Sequence, residues 1–526
     1  MNNNEPDSVT FAEKWRGSWM LTVLGGIYLV GELGHYLIGV ISRDVAEDLH
    51  FGDLGCFERP DVPGIHFGIC ENANTSDICT NITNEHGTFA CEWQYTGLGL
   101  DYQLLAGPSF MAVFTVAGIF WGIAGDKTNR VYLLFAATLL FSISTACTGL
   151  CQKFWHVIVC RVVQGVGVAA CSPLAAGMIC DVFGQKRRGT AMSLYNCGMY
   201  IGYGLSYAVG TYVTQANLFN EGWRATFVIS GIPGIVLAFL LLITVRDPEP
   251  KPTESPVEEK GAKEASYTYE AVHSYSAHPD GGTDDTESLI SNHQEQTASQ
   301  AGRMESDWRQ CFRFVTLYLI LAACLRRSAG YTLRYNSALY FQVYYPGLDV
   351  GWWLTAIYCI GGVLGSVLGG VTSDMLVNKL GVKARAVVLA VGQLVATPFS
   401  VLMFYMDPPY VFIPQTVGYL FGAMWFGAMF TILVEIIPSS IRSTAFGVAF
   451  FIMENFGGNF PVIVHHLSDI LGYRLALVIM YPGELILSKI AYVQALSNNQ
   501  HKQQDESASN DNVLCCLFLQ VLSSSF

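Results

Sequence analysis

The chain reads as two copies of one plan. Gly122 and Asp126 in GIAGD return as Gly370 and Asp374 in GVTSD. Further along, Asp181, Arg188 and Ala191 in DVFGQKRRGTA return as Glu435, Arg442 and Ala445 in EIIPSSIRSTA. In both copies the acid precedes the arginine by seven residues, and a Thr-Ala follows one residue later. Such a repeat, set between long apolar runs, restricts the fold to two related halves. Duplicated halves in a strongly apolar chain are a common plan of secondary transporters.

The apolar runs point to a membrane. Of 526 residues, 51% are hydrophobic and 13% charged, against a charged share of about 25% in a soluble domain. A bilayer core takes about 20 apolar residues per helix. Runs of that kind lie near 18–41, 104–125, 131–151, 154–178, 190–213, 223–245, 312–342, 351–375, 384–406, 410–434, 443–465 and 474–496. The pattern predicts an all-α membrane protein of twelve transmembrane helices in two pseudo-symmetric six-helix bundles, 18–245 and 312–496. The first apolar stretch is too long for a cleavable signal peptide and reads as an uncleaved helix. Residues 1–17 and 497–526 form polar ends. The segment 246–311 is rich in Ser, Thr, Glu, Asp, His and Gly without apolar periodicity, and is expected to be a disordered linker.

The net charge of -13 is concentrated. Residues 42–103 hold 11 acids and 2 bases, and residues 246–308 hold 14 acids and 5 bases. The acidity belongs to these two segments and gives no ground for a nucleic-acid partner. Lys14, Arg16, Lys127, Arg130, Lys186, Arg187, Arg188, Lys379, Lys383, Arg385 and Arg442 fall on one predicted side; Arg43, Arg59, Lys153, Arg224 and Arg474 fall on the other. The positive-inside rule then places both termini in the cytoplasm. The opposite-side loop 42–103 carries Cys56, Cys70, Cys79 and Cys91 together with sequons at Asn74 and Asn81. Four cysteines beside glycosylation sites read as a disulfide-stapled loop in an oxidising compartment. Which cysteine pairs with which the sequence does not say. The remaining cysteines sit mostly in apolar helices as small packing residues. The tail's Cys515 and Cys516 are either palmitoylation sites or a meaningless end.

Polar groups inside the predicted helices are the candidate site. Glu32 and His35 lie one turn apart on the first helix, hence on one face. An acid and an imidazole at mid-membrane can carry a coupling proton; a structural pair facing a neighbour is the alternative. Arg327, Tyr331 and Arg334 share a stripe of the seventh helix, with Arg326 adjacent. Cations there suit a phosphate or carboxylate; alternatively Arg334 sits near the outer boundary and snorkels. Glu454 and Asn455 interrupt the apolar run of the eleventh helix, as site residues or as a buried hydrogen-bonded contact. Arg161 on the fourth helix is too costly in lipid to face it, and so turns to the cavity or to a partner.

Two motifs carry a family resemblance. Gly122-x-x-x-Asp126-Lys127-x-Asn129-Arg130 resembles the signature loop between helices 2 and 3 of the major facilitator superfamily. Gly122 would allow a close helix approach, and Asp126 would form contacts broken and remade in gating. Arg161-Val-Val-Gln164-Gly165-Val-Gly167 is similar to that superfamily's Arg-x-x-Gln-Gly-x-Gly motif. Asn129 stands where Gly is usual, as in the spinster-like branch. The pairs Asp181/Arg188 and Glu435/Arg442 resemble a cytoplasmic charge relay of sugar-porter-like members; ordinary topogenic charges are the alternative. The second copy, Gly370 to Asp374, is followed by Met375 in place of a basic residue. Gly198, Gly202 and Gly204 match the small-residue spacing of an antiporter motif, but Tyr203 replaces its proline. The first helix lacks the Asp-Arg pair usual in the spinster-like branch.

The resemblance implies the major facilitator fold and alternating-access transport of an amphipathic solute, such as a lysolipid or sphingoid phosphate; an organic-ion or sugar carrier of another branch of the superfamily is the alternative. It implies proton coupling; no cofactor and no metal are expected from the residues themselves. A transport-inactive receptor or scaffold is the rival from another class. An enzyme is not expected, because no nucleophile–base pair, phosphate loop or metal-ligand spacing stands out. The linker also holds Asp285-Thr-Glu-Ser-Leu289-Ile290 and Tyr269-Glu-Ala-Val272. These resemble sorting signals read by adaptors and would direct the chain to an endolysosomal membrane rather than the plasma membrane.

Overall fold

The structure is a computed structural model. It describes residues 11–59, 70, 73, 75–83, 87–183, 185–248, 314–345, 347–380, 383–425, 429, 432 and 442–488. Residues 249–311 of the expected linker, both sorting patterns, Asn74, Cys515, Cys516 and Glu435 lie outside the described residues, whereas Asp247 at the linker's start is held by Arg130.

The first segment is α1 (Phe11–Val40). Its 30 residues span about 45 Å at 1.5 Å each, more than the hydrocarbon thickness. After it comes the cysteine-bearing loop: α2 (Ser42–Leu49), β1 (Leu54–Glu58), α3 (Ser76–Thr80) and β2 (Cys91–Tyr95). β1 and β2 pair antiparallel with Cys56 opposite Trp93. The disulfides are Cys56–Cys79 and Cys70–Cys91. Together with Ala73 and Ala90 these cysteines form a small core of their own. A loop this poor in apolar side chains gains from covalent closure, on the order of 3 kcal/mol per bridge. Asn81 is exposed there.

The second segment departs from the expected single helix at 104–125. It starts earlier, as α4 (Leu100–Ala106), breaks at Gly107, and resumes as α5 (Pro108–Lys127). Proline at the first position of α5 fits a helix start, because its missing N–H would have no partner there. Then follow α6 (Arg130–Thr148), α7 (Phe154–Val168) and α8 (Cys171–Val182) as the fourth segment, α9 (Gln185–Ala208) with a π-helical turn at Val209–Val213, and α10 (Trp223–Thr244).

The second half repeats the order: α11 (Phe314–Tyr344), α12 (Gly351–Ala356), α13 (Gly362–Leu380), α14 (Lys383–Leu402), α15 (Phe412–Ala423), α16 (Arg442–Asn459), α17 (Ile463–Leu471) and α18 (Tyr473–Val478). α12 and α13 join through a π-helical turn into one segment, and α16 and α17 join through a 3-10 turn into another. The described residues thus follow a twelve-segment architecture. Apolar side chains such as Val236, Phe239 and Ile243 of α10 are exposed. In a span of mean hydropathy 2.5, that outer face belongs against lipid.

The halves meet on the face that carries the disulfide loop. Tyr102 donates to the Tyr335 carbonyl, and Gln103 Nε2 lies 3.2 Å from Asn336 Oδ1. Gln342 reaches the Val40 carbonyl at 3.3 Å. Tyr212 donates to Asp349 at 2.9 Å. Gly204 permits a close helix approach: a Cβ there would lie 2.8 Å from the Thr355 carbonyl. Among the described residues, the hydrogen bonds between halves run from mid-membrane to this loop face.

Gly204→Val is therefore expected to push the halves apart at the loop face. Spin labels at the exposed positions Leu218 and Ile470 should report a longer distance than in the parent protein. An unchanged distance distribution would refute the role given to Gly204.

Candidate functional site

α1 brings Tyr28, Glu32, His35 and Tyr36 to one side, as the helical period dictates. Glu32 and His35 are buried, and His35 Nδ1 lies 3.6 Å from Glu32 Oε2. The imidazole stacks on Phe110, with ring centroids 3.9 Å apart. Its Nε2 lies 3.4 Å from the Tyr335 hydroxyl, across the junction of the halves. The expected acid–imidazole pair is formed and faces the centre of the molecule.

Arg161 does not turn its guanidinium to an open cavity; it faces protein partners. Its Nη1 donates to the His35 carbonyl at 3.0 Å and to Gln164 Oε1 at 2.8 Å. Nε and Nη2 donate to the carbonyls of Leu105 and Ala106 at 3.3 and 3.4 Å. Those carbonyls end α4, where the break at Gly107 deprives them of helical partners. Gln164 in turn donates to Thr145 at 2.8 Å. Gly165 and Gly167 of the same motif let helices close in: Cβ atoms there would lie 2.7 Å from the Phe110 carbonyl and 2.8 Å from the Ala137 carbonyl. The whole motif is a packing and capping device.

The arginines of α11 are all buried, so Arg334 does not snorkel. Arg327 pairs with Glu454 of α16, and Tyr331 donates to the same carboxylate at 2.9 Å. Arg326 donates to the Gly422 carbonyl. Arg334 Nε donates to Tyr36 at 3.0 Å. Its guanidinium sits over the rings of Tyr331 and Tyr203, at 4.7 and 4.9 Å from their centroids. Arg334 Nη2 is buried with no hydrogen-bond partner. A small, partly open space adjoins these groups, lined by Tyr200, Tyr203, Arg326, Arg327, Arg334 and Trp425 among others. Tyr203, noted in the sequence only for replacing a proline, is part of that wall. The space lies on the side of the inter-half contacts away from the disulfide loop.

Asn455 points elsewhere than its neighbour Glu454. It donates to Thr115 of α5 and so joins the halves. The sequence reading passed over Glu484, which is buried beside Ser328 at 3.0 Å. It lies in an otherwise apolar stretch; an acid within such a run was the signal that could have found it.

The loop motif is only partly as expected. A Cβ at Gly122 would meet nothing nearer than Pro173 at 4.0 Å, and one at Gly370 would meet nothing. The close approach belongs to Gly125, against Leu174. Asn129 caps α6, its Oδ1 accepting from Val131 N at 3.0 Å and Tyr132 N at 3.3 Å; that is its local reason for replacing glycine. Arg130 bridges Asp181 at 2.7 Å and Asp247 at 3.1 Å. Asp181 thus has Arg130 as partner, and Asp247 joins a relay in which the sequence reading did not include it. Lys127 is exposed. The side chains of Asp126, Arg188, Asp374 and Arg442 lie outside the described residues.

Comparison with known proteins adds the family. A sequence model described as Major Facilitator Superfamily matches residues 24–486. Protein spinster of Drosophila melanogaster is 29% identical over 175 residues, covering 33% of this chain and 27% of that one. A sphingosine-1-phosphate transporter of Xenopus tropicalis is 30% identical over 138 residues, covering 26% of each. The matches therefore span about a quarter of these relatives' own lengths. A solved bacterial homologue of the human lysosomal transporter Spinster overlays with TM-score 0.64 at 18% identity, covering 92% of this chain and 97% of that one.

The buried pair yields a stability prediction. Arg327→Met leaves Glu454 as a buried carboxylate short of its cation, and should lower unfolding free energy by about 3 kcal/mol. Adding Glu454→Gln should recover at least half of the loss. Thermal unfolding in detergent measures both; equal additive losses would show that the two residues do not act as a pair.

Proposed function

We propose that this chain, which belongs to the Major Facilitator Superfamily, is an alternating-access secondary transporter of an amphipathic organic anion. The lysolipid and sphingoid-phosphate class fits best. The observation that carries the reading is Arg334: a buried guanidinium with an unpartnered Nη2 beside an aromatic-walled space. A buried cation with spare donor capacity favours phosphate or carboxylate. The surrounding rings of Tyr200, Tyr203 and Trp425 offer apolar surface to a hydrocarbon portion. The similarity to a sphingosine-1-phosphate transporter of Xenopus tropicalis supports the same class.

The positive-inside distribution supports cytoplasmic termini, with the disulfide loop on the opposite side of the membrane. In that orientation the space at Arg334 faces the cytoplasmic half, and the inter-half hydrogen bonds close the outer half. Glu32, touching His35, is the proposed carrier of a coupling proton. Arg130, Asp181 and Asp247 tie cytoplasmic ends within the first bundle, with Asp126 as the proposed latch. Arg161 acts in this reading as a positioning residue, holding the His35 backbone.

Flux into proteoliposomes, with lysophospholipid and sphingoid phosphate as probes, tests the proposal. Uptake should rise with an imposed pH gradient. Arg334→Ala should reduce uptake about tenfold or more, as loss of a charged hydrogen bond of about 1.5–3 kcal/mol implies. Glu32→Gln should abolish the gradient dependence. Flux indifferent to pH would remove proton coupling. No flux across a broad solute panel, from folded protein, would favour a receptor. Asp126→Ala should slow transport more than it weakens binding; a change confined to affinity would exclude the latch.

A further inference from the structure

We propose that the loop face carries a zinc site formed by His465, His466 and Asp469 of α17, braced from the other half of the molecule by Asp53. Nothing in the transport reading uses these residues, and the proposal stands independently of it.

Helical geometry brings the three together. At about 100° per residue, Asp469 falls between the directions of His465 and His466 on the helix surface. Their candidate ligand atoms all lie within 4.8 Å of one another. His465 Nε2 is 3.7 Å from Asp469 Oδ2. Around a tetrahedral zinc, with bonds of about 2.0–2.1 Å, neighbouring ligand atoms lie about 3.3 Å apart. His466 and Asp469 are exposed, so their side chains can turn by the remaining distance. Two imidazoles and one carboxylate form a donor set that zinc takes, with water completing the tetrahedron. Calcium and magnesium prefer all-oxygen sites.

Asp53 supplies the second observation. His465 Nδ1 is buried and has no hydrogen-bond partner, yet it faces Asp53 Oδ2 at 3.7 Å. A carboxylate on that side of a ligating histidine favours the proton on Nδ1 and leaves Nε2 free for metal. Asp53 is well placed for this, because its backbone is fixed: its N–H donates to the Leu98 carbonyl at 3.2 Å, and its carbonyl accepts from Thr96 N at 2.8 Å. It lies between α2 and β1, in the first half, whereas α17 lies in the second. Zinc would therefore favour the state in which the halves touch at this face. A ligand shifts an equilibrium toward the state it binds better.

The test uses the full chain. Isothermal titration with zinc chloride should show one equivalent bound, with a rise in Tm that calcium and magnesium do not produce. His466→Ala and Asp469→Asn should each weaken zinc binding about tenfold or more, with zinc-free flux unchanged. Asp53→Asn keeps the direct ligands and should weaken affinity about 10–100-fold, while removing any zinc-induced shortening of the Leu218–Ile470 label distance. No stoichiometric zinc binding, or binding unaltered in both His466→Ala and Asp469→Asn, would overturn the site. Zinc bound with full affinity in Asp53→Asn, and with no effect on the label distance, would overturn the bridge between halves.

Discussion

Each charge drawn into the membrane interior has to find a partner, and the interior of this molecule is organised around that requirement. An isolated charge there is costly. The break at Gly107 leaves the carbonyls of Leu105 and Ala106 without helical donors, and Arg161 supplies them. The guanidinium and the Ala106 carbonyl would be expensive alone, whereas the Leu105 carbonyl also accepts from Ser109 at 2.8 Å. Arg327 and Glu454 meet the requirement as a direct pair. Arg326 meets it through the carbonyl of Gly422. Arg334 meets it least completely, through one tyrosine hydroxyl and the faces of neighbouring rings. Residual demand at Arg334, whose Nη2 is buried without a hydrogen-bond partner, marks where an anion would gain.

The distribution of these charges differs between the halves. α1 contributes an acid and an imidazole; α11 contributes the cations. The repeat in the sequence therefore describes the scaffold, whereas the chemistry lies in what is not repeated. The two sets meet across the junction, through Tyr36 with Arg334, through His35 with Tyr335, and through the rings of Tyr36 and Tyr331. Under the proposed mechanism, opening the loop face separates these groups. The protonation of α1 and the occupancy of α11 would then bear on the same movement, which is the structural requirement for coupling.

Much of this was legible in the sequence, and the reasons for success and failure are specific. Twelve apolar runs and the duplicated motif gave the architecture because length and hydropathy alone decide what can cross a bilayer. Glu32, Arg327 and Glu454 stood out because ionisable residues are rare in such runs. The partners of Arg161 did not, since they are backbone carbonyls exposed by a helix break, and a Gly-Pro pair in an apolar run only hints at one. Gly122 was taken for the packing glycine when Gly125 fills that place; two glycines three residues apart lie on nearby faces of a helix, and only the position of Leu174 separates them. Disulfide pairing required the β1–β2 register. Asp247 joined Arg130 from the far end of the bundle, a proximity that no local pattern encodes.

The manner in which the halves are joined bears on whether they can part. The described contacts between the halves combine buried rings, such as Tyr207 stacked on Tyr358 with centroids 5.0 Å apart, with hydrogen bonds to carbonyls, such as Tyr207 to Arg334 at 3.0 Å and Thr355 to Gly204 at 3.0 Å. A hydrogen bond of this kind contributes about 1 kcal/mol net. Several together contribute a few kcal/mol, because water entering an opening cleft replaces each lost partner. That is within the range that a ligand's preference for one state can supply; about 5.5 kcal/mol carries a two-state equilibrium from one extreme to the other. The buried rings and aliphatic side chains that also span the junction have no such replacement and hold the halves together more firmly. The apolar part of the seam keeps the closed face stable at rest, and the hydrogen-bonded part is the share that a bound solute or proton most readily releases.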